Sequence, residues 1–161
     1  MLEEDDRRLA KLVHPLVGPP TCSVGLIEGG SQINIVPDRC QITVDRRLVP
    51  GEKADQVLDE YRELLDVEID EPFLVDEAME TPADAQVVQI ASQVLSELGG
   101  EPEPIGVPFG CDATKLSRAG IPSIIFGPGS IDQAHRAEEF VEIEQVEFAA
   151  EFYKQLILRF D

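Results

Sequence analysis

Residues 33–49 read "INIVPDRCQITVDRRLV", and the second half of that stretch decides the fold. Cys40, Ile42 and Val44 alternate with Gln41, Thr43 and Asp45, the two-residue period of a half-buried strand. The whole of 33–49 is expected to be extended, with Pro37 marking an edge position or a bulge. Just upstream, "TCSVGLIEGG" predicts a short strand over 21–28, closed by Gly29-Gly30. The two strands make an antiparallel pair.

Working outward, "EEDDRRLAKLV" at 3–13 reads as the end of a helix, acidic early and basic late, stopped by Pro15, Pro19 and Pro20. Beyond the pair, "PGE" at 50–52 is a turn. "KADQVLDEYRELL" follows as an amphipathic helix, with Val57, Leu58, Tyr61, Leu64 and Leu65 on one face. "DVEIDEPFLVDEAME" alternates again and predicts a strand over 67–75. Helix, two strands, helix, strand is a ferredoxin-like split βαβ without its first strand.

The second half opens near "TPADAQVV", with Pro82 at a helix start. Val87, Val88, Ile90, Ala91, Val94, Leu95 and Leu98 give 83–98 a helical period, and Gly99-Gly100 end it. "PIGVPFG" is a short strand or loop. "CDATKLSRAG" opens a helix with Asp112 as N-cap and Gly120 as C-cap. "IPSIIFGPG" predicts a buried strand ending in a glycine turn, and 142–160 the last helix. Strand and helix in alternation predict a parallel α/β layer, yet parallel sheets are buried on both faces and two short strands cannot make one. This half therefore also reads as incomplete. Ile124, Ile125 and Phe126 should then expose apolar faces unless oligomerisation covers them.

Composition narrows the partners. The chain has 161 residues, 43% hydrophobic and 28% charged, which suits a globular protein and argues against wholesale disorder. Thirty-two acidic residues against thirteen basic ones give a net charge of −19. Such a surface repels nucleic-acid phosphates and anionic membranes, so neither partner is expected. Its plain reading is a well-solvated surface rather than a functional acidic patch, and so large a charge could also mark salt adaptation. Cys22, Cys40 and Cys111 are odd in number and form no C-x-x-C pair, which excludes a disulfide framework or a thiolate zinc knot and fits a reducing cytoplasm. "MLEEDDRRLAKLV" is charged where a signal peptide would be apolar, and no stretch reaches the ~20 apolar residues of a membrane helix.

The residues that can carry chemistry are few. His135 sits between a strand and a helix beside Glu138 and Glu139, where open α/β sheets assemble their sites. Imidazole suits zinc, and a neighbouring carboxylate could orient its second nitrogen; the plain alternative is a surface histidine. "FGPG" at 126–129 either presents backbone N–H groups to a carboxylate or is simply a tight turn. Arg46 and Arg47 fall on opposite faces of the strand, Arg47 with Thr43 and Asp45. An arginine fork suits a carboxylate ligand, with an ion pair to Asp45 or Glu52 as the ordinary reading. Asn34 could bond a ligand or cap a turn. His14, followed by Pro15, reads as a loop residue.

Taken together, "IEGGSQINIVPDRCQITVDRRLVPGE", "GCDATKLSRAGIPSIIFGPG" and "AHRAEEFVEIEQV" resemble one family, the dinuclear zinc hydrolases that include acetylornithine deacetylase, succinyl-diaminopimelate desuccinylase, aminoacylase and glutamate carboxypeptidase. The resemblance runs from about residue 12 to the end of the chain. It implies residues 1–78 as a partial ferredoxin-like lid that mediates homodimerisation, and 79–161 as the C-terminal part of a zinc-bearing α/β catalytic domain. Carried across by position, His135 matches a zinc ligand and Glu139 the acidic residue after it. Arg47 matches the lid arginine that holds the substrate carboxylate. Asn34 matches a lid residue that reaches the substrate, sometimes from the partner subunit. Gly127 and Gly129 match the turn lining the substrate pocket. Asp112 matches the aspartate of a "T-D-A"-like segment, with Cys111 in place of the usual hydroxyl residue.

The family's H-x-D motif, bridging aspartate and Glu-Glu pair have no counterpart here, so no catalytic residue is assigned within the chain. One histidine cannot hold a dinuclear site, because catalytic zinc takes about three protein ligands plus water. The expectation is a C-terminal portion of a cytoplasmic, metal-dependent amidohydrolase acting on N-acyl amino acids or small peptides, inactive alone, with zinc, cobalt or manganese as its metal. The rival expectations are a non-catalytic dimerisation module and one half of a two-chain enzyme.

Overall fold

An antiparallel hairpin forms where the alternation places it. In the computed structural model, which describes residues 2–134 and 136–160, β1 (Thr21–Gly29) pairs with β2 (Cys40–Arg47), Thr21 opposite Arg47 and Gly29 opposite Cys40. The register slips between Val24 and Leu26, so Gly25 makes a bulge. The extended stretch is shorter than expected. Residues 30–39, Pro37 among them, form the connecting loop rather than strand. Nor is one face of β2 buried: Ile42 and Val44 are exposed, and on β1 Ile27 is 71% exposed. The reason is geometric. These are the only strands among the described residues, and a two-stranded ribbon has no second layer to bury a face against.

The chain divides into two compact units, Met1–Met79 with Gly106–Gly110, and Glu80–Ile105 with Cys111–Asp161. In the first, α1 (Leu2–Leu9) touches β1, and α2 (Ala54–Leu64) follows the ribbon. Leu9, Val49 and Val57 are the buried apolar side chains. Arg8 bridges the two helices, 2.9 Å from Asp5 and 2.5 Å from Glu60, with its guanidinium 5.7 Å from the centre of the Tyr61 ring. The Tyr61 hydroxyl donates to Asp5. Gly106 completes this unit from far along the sequence: a Cβ there would lie 2.5 Å from the Leu16 carbonyl oxygen, so no side chain fits.

The second unit is built on α3 (Gln86–Leu98) and α5 (Ile143–Ile157), with α4 (Ala113–Arg118) between them in sequence. Its core is Ala91, Val94 and Phe152, flanked by Ile90, Leu98, Ile124 and Phe126. The Phe126 and Phe152 rings meet at 3.8 Å between centroids. Thr81 donates its hydroxyl to the Ser123 carbonyl and accepts the Ser123 N–H at 3.2 Å, which pins residue 123. Gly99, at φ 79°, caps α3 in the left-handed region as its position predicts.

Several expectations are corrected. Segments 67–75 and 121–126 are not strands, and no parallel layer forms among the described residues. A strand exists only through a paired neighbour, and these segments have none. Ile125 is exposed as anticipated, but Ile124 and Phe126 are half-buried against the α3–α5 core. Pro82 does not start α3. Its carbonyl accepts the Ala85 N–H in a turn before the helix begins. Asp112 precedes α4, but its carboxylate makes no cap bond and pairs with Lys115 instead. No helix among the described residues is long and apolar enough to cross a membrane.

Candidate functional site

Arg47 closes β2, and period-two geometry explains the contrast with its neighbour. Arg46 turns inward, its side chain only 11% exposed, while Arg47 is 61% exposed. The ordinary ion pairs both form. Arg47 lies 2.8 Å from Asp45, two residues away on the same face, and Arg46 lies 2.5 Å from Glu52. Arg47 thus stays open to solvent with its fork partly engaged, a disposition suited to exchanging one carboxylate for another.

Asn34 is exposed in the turn between the strands. Arg47 pairs with Thr21 at one end of the ribbon, whereas Cys40 pairs with Gly29 at the end that leads to Asn34. At ~3.4 Å per residue these ends are about 24 Å apart. The loop that holds Asn34 thus leaves the ribbon at the end opposite Arg47.

Gly127, Gly129, Asp112 and Glu139 belong to the second unit. The loop after Phe126 is tied to α5, because the Gly129 N–H donates to Gln145 Oε1 at 2.8 Å. Gly129 has φ 91°, which only glycine adopts without strain, whereas a Cβ on Gly127 would meet nothing. A single 3₁₀ turn, Ile131–Gln133, follows, its first N–H groups satisfied in part by Ser130, whose hydroxyl accepts the Asp132 N–H. Glu139 is exposed in this loop. His135, the expected metal ligand, lies outside the described residues. The Asp112 carboxylate is exposed and held below the usual range by the hydrogen bond from Lys115, 2.6 Å away.

A metal needs several donors converging on one point. Among the described residues, no three His, Cys, Asp or Glu side chains do so. His14 accepts the Leu16 N–H at Nδ1, 3.3 Å away, and lines a shallow groove of about 420 Å³ with Lys11, Val49 and Glu52. The described donor set thus does not fit a dinuclear centre by itself.

One arrangement was only half visible in the sequence. Glu52 accepts the Val49 N–H at 2.9 Å while gripping Arg46, so the Arg46–Glu52 pair closes the turn that follows Arg47. The pairing of the two residues was one of several open to Arg46; nothing in residue spacing told that it would be half-buried.

Compared with known proteins, residues 2–159 match the model for peptidase family M20/M25/M40. The chain is similar to an acetylornithine deacetylase of Myxococcus xanthus, 33% identical over 141 residues, which is 80% of this chain and 35% of that protein. The acetylornithine deacetylase of Proteus mirabilis is 29% identical over 153 residues, 88% of this chain and 37% of its own length. That of Photorhabdus laumondii is 27% identical over 150 residues, again 88% and 37%. The chain spans little more than a third of the relatives it matches.

Proposed function

The chain belongs to peptidase family M20/M25/M40, and from that premise we propose that it is the substrate-carboxylate-binding portion of a hydrolase that cleaves the amide bond of N-acyl amino acids or small peptides. The observation that supports this most is the match running through almost the whole chain while Arg47 stands solvent-open at the end of β2. Arg47 holds the substrate's carboxylate, displacing Asp45 from its fork. The Gly127–Gly129 turn lies along the substrate, with Gly127 leaving room for close approach. Glu139 and Asp112 assist the metal ligand His135.

The first unit is the ferredoxin-like lid and the second the end of the catalytic domain. Zinc, with cobalt or manganese as substitutes, is the metal of the complete enzyme, and His135 is one of its ligands. The remaining ligands and the general base lie on stretches of the family's sequence that these 161 residues do not match, and these residues by themselves turn over no substrate. The enzyme works in the cytoplasm.

Asn34, whose loop leaves the ribbon at the end opposite Arg47, reaches the substrate held by a second copy of the chain. This favours a homodimer through the lid. It also keeps open a reading in which the fragment serves purely as a dimerisation module, supported by the exposed apolar side chains of Leu26 and Ile27. Light scattering on the purified chain separates these from a monomer.

The test of function is a chimaera in which this chain replaces the matching third of the Myxococcus xanthus enzyme. It should hydrolyse N-acetylornithine or another N-acyl amino acid in a metal-dependent way. Arg47→Met should raise KM by at least about tenfold, the loss of a charge-assisted pair. A folded chimaera that cleaves no N-acyl amino acid sinks the proposal.

A further inference from the structure

We propose that the half-buried Arg46–Glu52 pair is a positioning device that locks the turn after β2 and so fixes the point from which the Arg47 side chain reaches its ligand. This inference rests on the reading of Arg47 as the carboxylate clamp.

Five bonds converge on one turn, the longest from Arg46 Nη1 to Glu52 Oε2 at 3.4 Å. Arg46 Nη1 donates to the Arg47 carbonyl oxygen, and Nη2 donates to Glu52 Oε1 at 2.5 Å. Glu52 Oε2 accepts the Val49 N–H at 2.9 Å, and the Glu52 N–H donates to the Val49 carbonyl at 3.1 Å. The turn would otherwise be loose, since it holds Gly51 at φ 96°, a residue with wide backbone freedom. Arg47 has no such anchoring of its own. Its guanidinium is bonded to Asp45 on the exposed face, so its placement follows its backbone.

Stability does not explain the pair. Arg46 and Glu52 side chains are 11% and 15% exposed, and the Arg46 Nε–H is buried without a partner. Burying two charges costs desolvation that their attraction barely offsets, and an unpaired N–H adds to it. An apolar side chain of similar volume would serve the core at least as well. What an apolar residue lacks is the planar fork that holds a carbonyl and a carboxylate at once. Lysine, a single point donor, lacks it too.

The experiment is amide hydrogen exchange and Arg Nε relaxation by NMR on the ¹⁵N-labelled 161-residue chain, in the native form, R46M, R46K and E52Q. In R46M, exchange at Val49 and Glu52 should accelerate about tenfold or more while the β1–β2 ladder stays within about twofold. The order of the Arg47 Nε–H should fall with it. R46K should recover part of the protection, and E52Q should repeat the R46M pattern if R46M does not fold. A change shared equally by all amides of the first unit would mean plain stabilisation and overturn the proposal, as would no change at Val49 and Glu52. In the chimaera, R46M should raise KM for N-acetylornithine, and R46M/R47M should be no worse than R47M alone; additive losses overturn the coupling. An unchanged KM in R47M instead removes the carboxylate reading, a failure distinct from that of the turn.

Discussion

The phenol of Tyr61 is held well above the ordinary tyrosine range of about 10, first by burial and then by its hydrogen bond to Asp5. A group whose folded pKa is raised lends stability below its unfolded pKa and loses it as pH climbs through the folded one. The first unit should therefore weaken above about pH 10, and Tyr61→Phe should remove that dependence. Urea midpoints at pH 8 and pH 11 should show native and Y61F chains converging or crossing as pH rises; a constant gap would rule the linkage out. At this scale the sequence was partly legible. Period two assigned Arg46 and Arg47 to opposite faces, and their exposures follow it. Asp112 holds the N-cap position read for it, but an exposed aspartate there can bond either the backbone or a lysine three residues on, and here Lys115 wins. The place of Asn34 relative to Arg47 was illegible until the register fixed which end of the ribbon each occupies.

Among elements, the helices were the most legible. The apolar spacing of α2, α3 and α5 is set within each segment, and tertiary contacts then select that face. Phe152 of α5, fully buried against Ala91 and Val94 of α3 and against Phe126, tests this: Phe152→Ala should cost about 3–5 kcal/mol by denaturant titration of the second unit. A loss under ~1 kcal/mol would mean that the core collapses around the gap. Residues 67–75 and 121–126 read as strands in the sequence, and neither forms one. Extension is a local property, whereas a ladder requires a neighbour supplying donors and acceptors. Phe73 and Leu74 accordingly stand in solvent. Joining this chain to the rest of the Myxococcus xanthus relative's sequence should convert these segments to protected strands, seen as slowed amide exchange; unchanged exchange in the folded chimaera would contradict it.

For the whole molecule, charge dominates. With 32 acidic residues against 13 basic, self-repulsion opposes the folded state. Surface pairs such as Arg159–Glu97 and Lys154–Glu151 contribute little individually. Screening shortens from about 10 Å at 0.1 M salt to about 3 Å at 1 M. Raising NaCl over that range should lift Tm by roughly 3 °C or more, about 1 kcal/mol for a chain of this size. A falling Tm would mean that the ion pairs outweigh the repulsion. The net charge was fully readable in the sequence; the division of the chain was not, because Gly106–Gly110 joins the first unit across the intervening α3. That return has a genetic consequence. No single crossover can transplant the first unit by itself, since a gene cut after codon 79 leaves behind the glycine that seats against Leu16. Recombination that preserves this unit must move two separate stretches of coding sequence together, or carry everything between them.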